Sequence, residues 1–273
     1  MQRISLLVVL ILSSAVGAAA QAPNTISTVA GGGTNPASAT SAYLPGAFGI
    51  VRDAVTGNTY LSLEYLSVVY KVDPSGNITL YAGNAVEGFS GDGGAATSAQ
   101  LDFPSGIAVD ASGNLFIADA QNNRIRRVDV NSHIITTVAG SGNQYNGLGF
   151  FGGFSGDGGP ATGALLNFPL AVAVDQNGNL FIADTNNNRI RMVDNSPEHI
   201  ITTYAGNGGG CAGQTDAIGD GCPAVEGSIA GPQGVAVHSS GDLYIADSNE
   251  RLIRKVDNSA SHIITTYAGN GGG

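Results

Sequence analysis

Hydrophobic residues in this chain come in runs of four to six, each broken by a polar turn, and the runs recur in a constant order. Gly106–Asp110 reads GIAVD, Asn114–Asp119 NLFIAD, Arg124–Asp129 RIRRVD and His133–Gly140 HIITTVAG. Runs this short, rich in β-branched and aromatic residues, predict strands rather than helices. Between them stand turn formers: Ala111-Ser112-Gly113, Ala120 to Asn123, and Val130-Asn131-Ser132.

The same order of runs fills Pro104–Gly140, Pro169–Gly206 and Pro232–Gly269, with a blurred copy at Pro45–Gly83. Self-similarity at a fixed period predicts a repeat fold. Four short antiparallel strands make a sheet that cannot bury both faces alone. Ringing such sheets about an axis packs face against face, so the expected fold is all-β, a β-propeller of four-stranded antiparallel blades. Unit lengths stay nearly constant while the connections vary, and variable loops on a rigid frame are where binding surfaces are usually placed. Those loops hold Phe89, Tyr145, Phe150, Phe151 and Phe154. Phe89 and Phe154 recur and are expected to tuck between blades. Tyr145, Phe150 and Phe151 occur once each and are the candidate recognition residues.

The pattern G-I-A-V-D-x-x-G-N-L-F-I-A-D-x-x-N-N-R-I-R-x-V-D resembles NHL repeats, in the sub-type of bacterial secreted proteins and the teneurin propeller. The linker Phe89-Ser90-Gly91-Asp92-Gly93-Gly94, repeated at Phe154–Gly159, is a further mark of that sub-type. The resemblance covers nearly all of the chain after the first twenty residues and implies the propeller. It says less about function, because propellers serve as recognition modules, receptors and lyases alike.

Residues 1–20 read as a signal peptide: Arg3, the apolar run Ile4–Leu12, then Ala18-Ala19-Ala20. The run is short for a spanning helix, so the expectation is a secreted or periplasmic protein with no membrane span after cleavage. Residues 21–273 form the propeller, with blades at about 45–83, 104–140, 169–206 and 232–269. Thr25–Gly31 matches the closing strand but lacks the other three strands of a blade, which predicts an incomplete ring, a fragment of a longer protein. Loss of Arg3 with the leader takes the net charge from −10 to −11. That balance excludes nucleic acid as partner, since clustered Lys and Arg are needed to displace counterions. Cys211 and Cys222 share one inter-repeat loop, and export favours a disulfide between them.

Asp119 precedes Arg124 by five residues across a turn, and Asp184 stands likewise to Arg189. In the first unit both positions change together, to Leu63 and Val68, so each pair is expected to form a structural salt bridge. Some propellers of this kind are metal-dependent lyases with channel-facing His ligands. Here His133, His199 and His262 precede the outer strand, and only His238 ends an inner strand, where other units have Asp110 and Asp175. His238 with Asp110 and Asp175 is a weak metal candidate, and turn capping explains the position more simply. The Asp92 and Asp157 loops supply one carboxylate each, too few oxygens for calcium, and read as tight turns. No cofactor is expected. The sequence therefore points to a non-enzymatic, exported binding module for a protein or glycan ligand. The alternative is a metal-dependent lyase or hydrolase whose site lies in the central channel of a longer protein.

Overall fold

The computed structural model describes residues 39–142, 144–145, 150–206, 210–212, 214, 216 and 218–271. The expected leader at 1–20 and the expected closing strand at 25–31 lie outside them. The first blade holds β1 (Ala47–Arg52), β2 (Thr59–Leu63), β3 (Val68–Val72) and β4 (Ile78–Ala82). The second holds β5 (Pro104–Val109), β6 (Leu115–Asp119), β7 (Arg124–Val128) and β8 (Ile135–Ala139). After it come short strands β9 (Gln144–Tyr145), β10 (Phe150–Phe151) and β11 (Gly159–Pro160). The third blade is β12 (Pro169–Val174), β13 (Leu180–Asp184), β14 (Arg189–Val193) and β15 (Ile200–Ala205). The fourth is β16 (Pro232–Val237), β17 (Leu243–Asp247), β18 (Leu252–Val256) and β19 (Ile264–Ala268). Within each blade the strands pair in sequence order, all antiparallel.

The first strands lie innermost and pack side by side, β1 on β5, β5 on β12, and β12 on β16. Their small residues permit this. A Cβ placed on Gly106 would sit 2.7 Å from both Ala171 Cα and the Leu170 carbonyl oxygen. Inner strands β5 and β12 are largely buried, whereas β1 and β16 are mostly half-exposed. Among the described residues no comparable packing joins β16 to β1, so four blades trace an arc rather than a closed ring.

Alternation along the strands sends one set of side chains into each inter-blade core. Between blades one and two, Tyr81, Leu101, Ile107, Leu115 and Val128 form one cluster. Phe116, Leu166, Val172, Leu180 and Ile201 form the next, and Phe181, Leu243, Ile245 and Val256 the third. The blades are thus held by apolar area buried between sheets, the dominant favourable term in folding.

Each linker runs along the outer strand of the blade that follows it. Gly93 N–H donates to the Ile135 carbonyl at 2.8 Å, and Ile135 N–H to that of Gly94 at 3.0 Å. β11 pairs with β15 in the third blade, and Gly221 and Cys222 bracket Ile264 in the fourth. An outer strand left bare would present a row of unpaired amides and carbonyls, and the linker covers it.

The same linkers carry the carboxylate that pairs with a buried arginine. Arg126, Arg191 and Arg254 are fully buried. Arg126 meets Asp92 of the linker at 2.7 Å and Asp119 of its own blade at 3.2 Å. Arg191 lies between Asp157 and Asp184, and Arg254 between Asp220 and Asp247. Linker carbonyls of Ser90 and Gln100 accept further bonds from Arg126.

The expected pairing of Asp119 with Arg124 and of Asp184 with Arg189 is therefore corrected. Residues 119 and 124 are register partners, but the salt bridge goes to the arginine two places further along the same face. Long side chains reach such diagonal neighbours across a ladder. Arg124 turns outward instead, donating to the carbonyls of Asn122 and Ser141 beneath the ring of Phe89, 3.6 Å from its centroid. Arg189 bonds the Asn187 carbonyl and lies under Phe154. Phe89 and Phe154 are thus lids on guanidinium groups, about 40% exposed, rather than rings buried between blades. Nor are Asp92 and Asp157 simple turn residues: each takes an arginine and a threonine hydroxyl, from Thr137 and Thr203.

Two stability measurements follow from these contacts. Arg126→Met should cost about 3–5 kcal/mol in urea unfolding, because it strands Asp119 in the core, and adding Asp119→Leu should restore part of that loss. Arg124→Gln should cost less, about 1–2 kcal/mol for a ring stack and two hydrogen bonds to carbonyls. Cys211 and Cys222 are joined, with Cα atoms 5.6 Å apart. Reduction should add two hydrogens to the mass and lower stability by about 2–3 kcal/mol, the loop-closure entropy of so short a loop.

Candidate functional site

Antiparallel order places the turns between first and second strands, and between third and fourth, on one face of the arc. The second-to-third turns and the inter-blade connections leave from the other. Inner strands end in Asp53, Asp110, Asp175 and His238. Asp110 Oδ1 accepts the amides of Ser112 and Asn114 at 2.9 Å, and its Oδ2 the Asn114 side chain at 2.8 Å. Asp175 repeats this with Asn177 and Asn179, and His238 Nδ1 lies 2.8 Å from Ser240 Oγ. The grouping of His238, Asp110 and Asp175 as metal ligands is corrected accordingly. Each side chain folds back into its own turn instead of converging on the axis. Among the described residues no three His, Cys, Asp or Glu side chains gather closely enough to hold a metal ion.

The third-to-fourth turns are capped in the same way. Asp129 accepts the amides of Asn131 and Ser132 and the Ser132 hydroxyl, which hold its carboxyl down at about 2. Bonds from Ser196 and Ser259 likewise lower Asp194 and Asp257. His133, His199 and His262 end these turns with φ of 55°, 48° and 45°, in the left-handed region, and the rings of His133 and His262 lie against Tyr81 and Tyr204 of the preceding blade.

On the other face the second-to-third turn of blade one carries Glu64, buried and hydrogen-bonded by Ser105 Oγ at 3.0 Å from the start of β5. Burial pushes its carboxyl up to about 7, against the Ser105 hydroxyl, which lowers it. Tyr65, 70% exposed, leads a short row of rings through Phe103 (6.3 Å) to Phe168 (5.9 Å). Phe103 and Phe168 have φ of 58° and 55°, uncommon for bulky residues. Asn123 of the preceding blade fixes Phe168 by accepting its amide at 2.6 Å.

Grooves open between blades on the face of the first-to-second turns. That between blades two and three encloses about 700 Å³, and that between blades three and four about 270 Å³. The larger runs from Asp110 and Phe116 across Val138 to Leu180, Asp194 and His199. The smaller contains Asp175 and His238 together with Tyr204 and His262.

The candidate recognition residues Tyr145, Phe150 and Phe151 lie on a two-stranded hairpin in the connection between blades two and three. Phe150 pairs with Tyr145, and Phe151 with Gln144. Their side chains lie outside the described residues. Reading the sequence overlooked the buried arginines, although a signal was there. Position 124 loses its arginine in the last unit, to Leu252, whereas Arg126, Arg191 and Arg254 persist wherever Asp119, Asp184 and Asp247 do. The third Gly-Asp-Gly, at 219–221, was also hidden, because neither Phe nor Ser precedes it.

The chain matches the model of the teneurin NHL domain over residues 84–149 and that of the NHL repeat over residues 166–191 and 230–254. It is 29% identical to human teneurin-1 over 229 residues, 76% of this chain and 8% of teneurin-1. Bovine NHL repeat-containing protein 2 is 30% identical over 159 residues, 56% of this chain and 20% of that protein. The chain thus spans at most a fifth of either relative. Among solved structures, an auxiliary nutrient binding protein from Bacteroides ovatus superposes with a TM-score of 0.53 at 18% identity. That match covers 82% of this chain and 49% of the other, and carries the fold alone.

Glu64 makes the stability of this face depend on pH. Its carboxyl holds a proton more tightly in the fold than the ordinary 4.5, so its contribution is complete below that value and lost as pH rises through about 7. Glu64→Gln should match the parent near pH 4 and exceed it by about 2 kcal/mol at pH 8.5 in urea unfolding.

Proposed function

Starting from a chain built of NHL repeats in β-propeller blades, we propose that it is a non-enzymatic binding module that recognises a protein or glycan through its inter-blade loops. The observation that carries this reading is the β9–β10 hairpin. The connections into blades two, three and four each lay a Gly-Asp-Gly segment on the next outer strand, but the connection into blade three carries the hairpin as well. It adds Tyr145, Phe150 and Phe151, residues without counterparts in the other units. Aromatic residues on a loop held by a rigid frame offer large contact area at low entropic cost.

The carboxylates argue in the same direction. Those at the strand ends are engaged by their own turns, and those beside arginine are committed to holding the blades. The leader-like residues 1–20 support export of the module to a secreted or periplasmic location, where the Cys211–Cys222 bridge is at home. Its place within a longer protein is part of the same proposal. Among the described residues no helix is long and apolar enough to cross a membrane.

The test is a screen of the immobilised chain against a glycan array and a panel of purified extracellular proteins, followed by alanine at Tyr145, Phe150 and Phe151 together. Binding should weaken by about 100-fold, as for an aromatic hot spot, while stability changes by about 0.5 kcal/mol or less. Binding that survives the triple substitution would move recognition away from the hairpin.

A further inference from the structure

The inter-blade grooves are built alike, and one differs in a single ring. Between blades one and two, Tyr81 fills the groove, its ring 4.8 Å from Tyr60 and 5.7 Å from His133 of the next blade. Between blades three and four, Tyr204 does the same, 4.9 Å from Phe181 and 5.1 Å from His262, with its hydroxyl 3.2 Å from His262 Nδ1. In the fourth blade Tyr267 lies 4.9 Å from Tyr244. At the corresponding place in the second blade the chain has Val138.

The consequences are visible in the packing. Beneath Tyr81 and Tyr204, the pairs Leu115–Val128 and Leu243–Val256 are sealed at 0% exposure. Beside Val138, the equivalent Leu180 and Val193 stay buried at 5% and 2% exposure but form part of the wall of the groove, which is more than twice the size of its neighbour. Phe116 and His199 stand where Phe181 and His262 flank a tyrosine. Arg127 lines this groove from the strand position at which Lys71 lies over the Tyr81 ring, 6.0 Å from its centroid. Around the mouth are Asp110, Asp175, Asp194 and Glu198. Among the described residues of the lining, Arg127 is the one cation against these four carboxylates, and it is paired with Asp129 at 3.1 Å.

We propose that the groove between blades two and three is a binding site for a phenolic ring carried by a positively charged molecule, seated where the chain's own tyrosines sit in the other grooves. The ring would lie against Phe116 and over Leu180 and Val193, with its hydroxyl toward His199. The cationic part would meet the acidic mouth, which has room for it beyond one ring. The site can be tested apart from the β9–β10 hairpin, because among the described residues its walls come from the blade strands, their turns and the Pro160–Thr162 segment.

Tyramine is the direct probe, titrated into the full chain by calorimetry, with phenethylamine lacking the hydroxyl and p-cresol lacking the charge as comparisons. Tyramine should saturate one site with roughly millimolar affinity or better, as suits so few heavy atoms. Each comparison compound should bind at least about threefold more weakly, the effect of one hydrogen bond or one screened charge. Val138→Tyr fills the groove with the ring that its neighbours already carry, so it should fold, melt no lower than the parent, and bind tyramine at least about tenfold more weakly. His199→Ala should erase the preference for tyramine over phenethylamine. The peptide acetyl-Lys-Tyr-Lys-amide distinguishes the source: equal or tighter binding than tyramine assigns the ring to a protein-borne tyrosine, and weaker binding to a small molecule. Absence of saturable tyramine binding, or equal binding to Val138→Tyr, would overturn the proposal.

Discussion

A guanidinium group enclosed between two carboxylates is the contact on which the blade geometry turns. Each of Arg126, Arg191 and Arg254 is withdrawn from water, which is costly unless its charge and donors are matched. One carboxylate comes from the second strand of its own blade, and the other from the linker that arrives from the preceding blade. The pair is satisfied only when the linker lies against the outer strand, so one interaction locks the blade interior, the covered edge and the approach of the chain together. Burial pushes Asp119 and Asp184 up to about 6 even with arginine beside them, which marks how far these sites are removed from solvent.

The first blade dispenses with the device. Leu63 and Tyr70 replace the aspartate and the arginine, and an apolar cluster of Ala39, Leu61, Leu63, Val68 and Val72 takes over. A buried ion pair and a well-packed apolar group of similar volume can be nearly equivalent in stability, so both solutions coexist in one fold. What the apolar version lacks is the fixed orientation that a charge-matched linker imposes. The first blade also has Glu64 at the turn where other units have Ala120 and Thr185, a buried acid held by one serine hydroxyl rather than by a cation.

Repetition has a second effect, on where recognition can evolve. Residues that recur from unit to unit are engaged by the frame: turn aspartates by amides, arginines by carboxylates, linker aromatics by guanidinium groups. Departures from the repeat are therefore the places free to meet a partner. The hairpin between blades two and three is one departure by insertion, and Val138 in place of tyrosine is another by deletion of a ring. Both fall at the same blade junction, the only one of the three along the arc whose groove, among the described residues, is not filled by a tyrosine.

The four-stranded blades and the likeness to NHL repeats were legible in the sequence because they rest on local patterns: alternation of period two, turn residues at fixed offsets, and near-constant unit length. The turn-capping role of Asp110 and Asp175 was legible for the same reason, since their partners lie within four residues. The choice between Arg124 and Arg126 left a single trace there, the loss of the first arginine at Leu252 while Arg254 stays with Asp247. Both lie on one face of β7, and only the twist of the sheet and the arrival of Asp92 from 34 residues upstream decide which one turns inward. The groove beside Val138 was equally hidden, because its walls come from strands and turns of two blades. By itself the sequence determined which elements form and in what order; tertiary structure alone decided which charges meet and where a cavity opens, because those depend on packing between segments far apart in the chain.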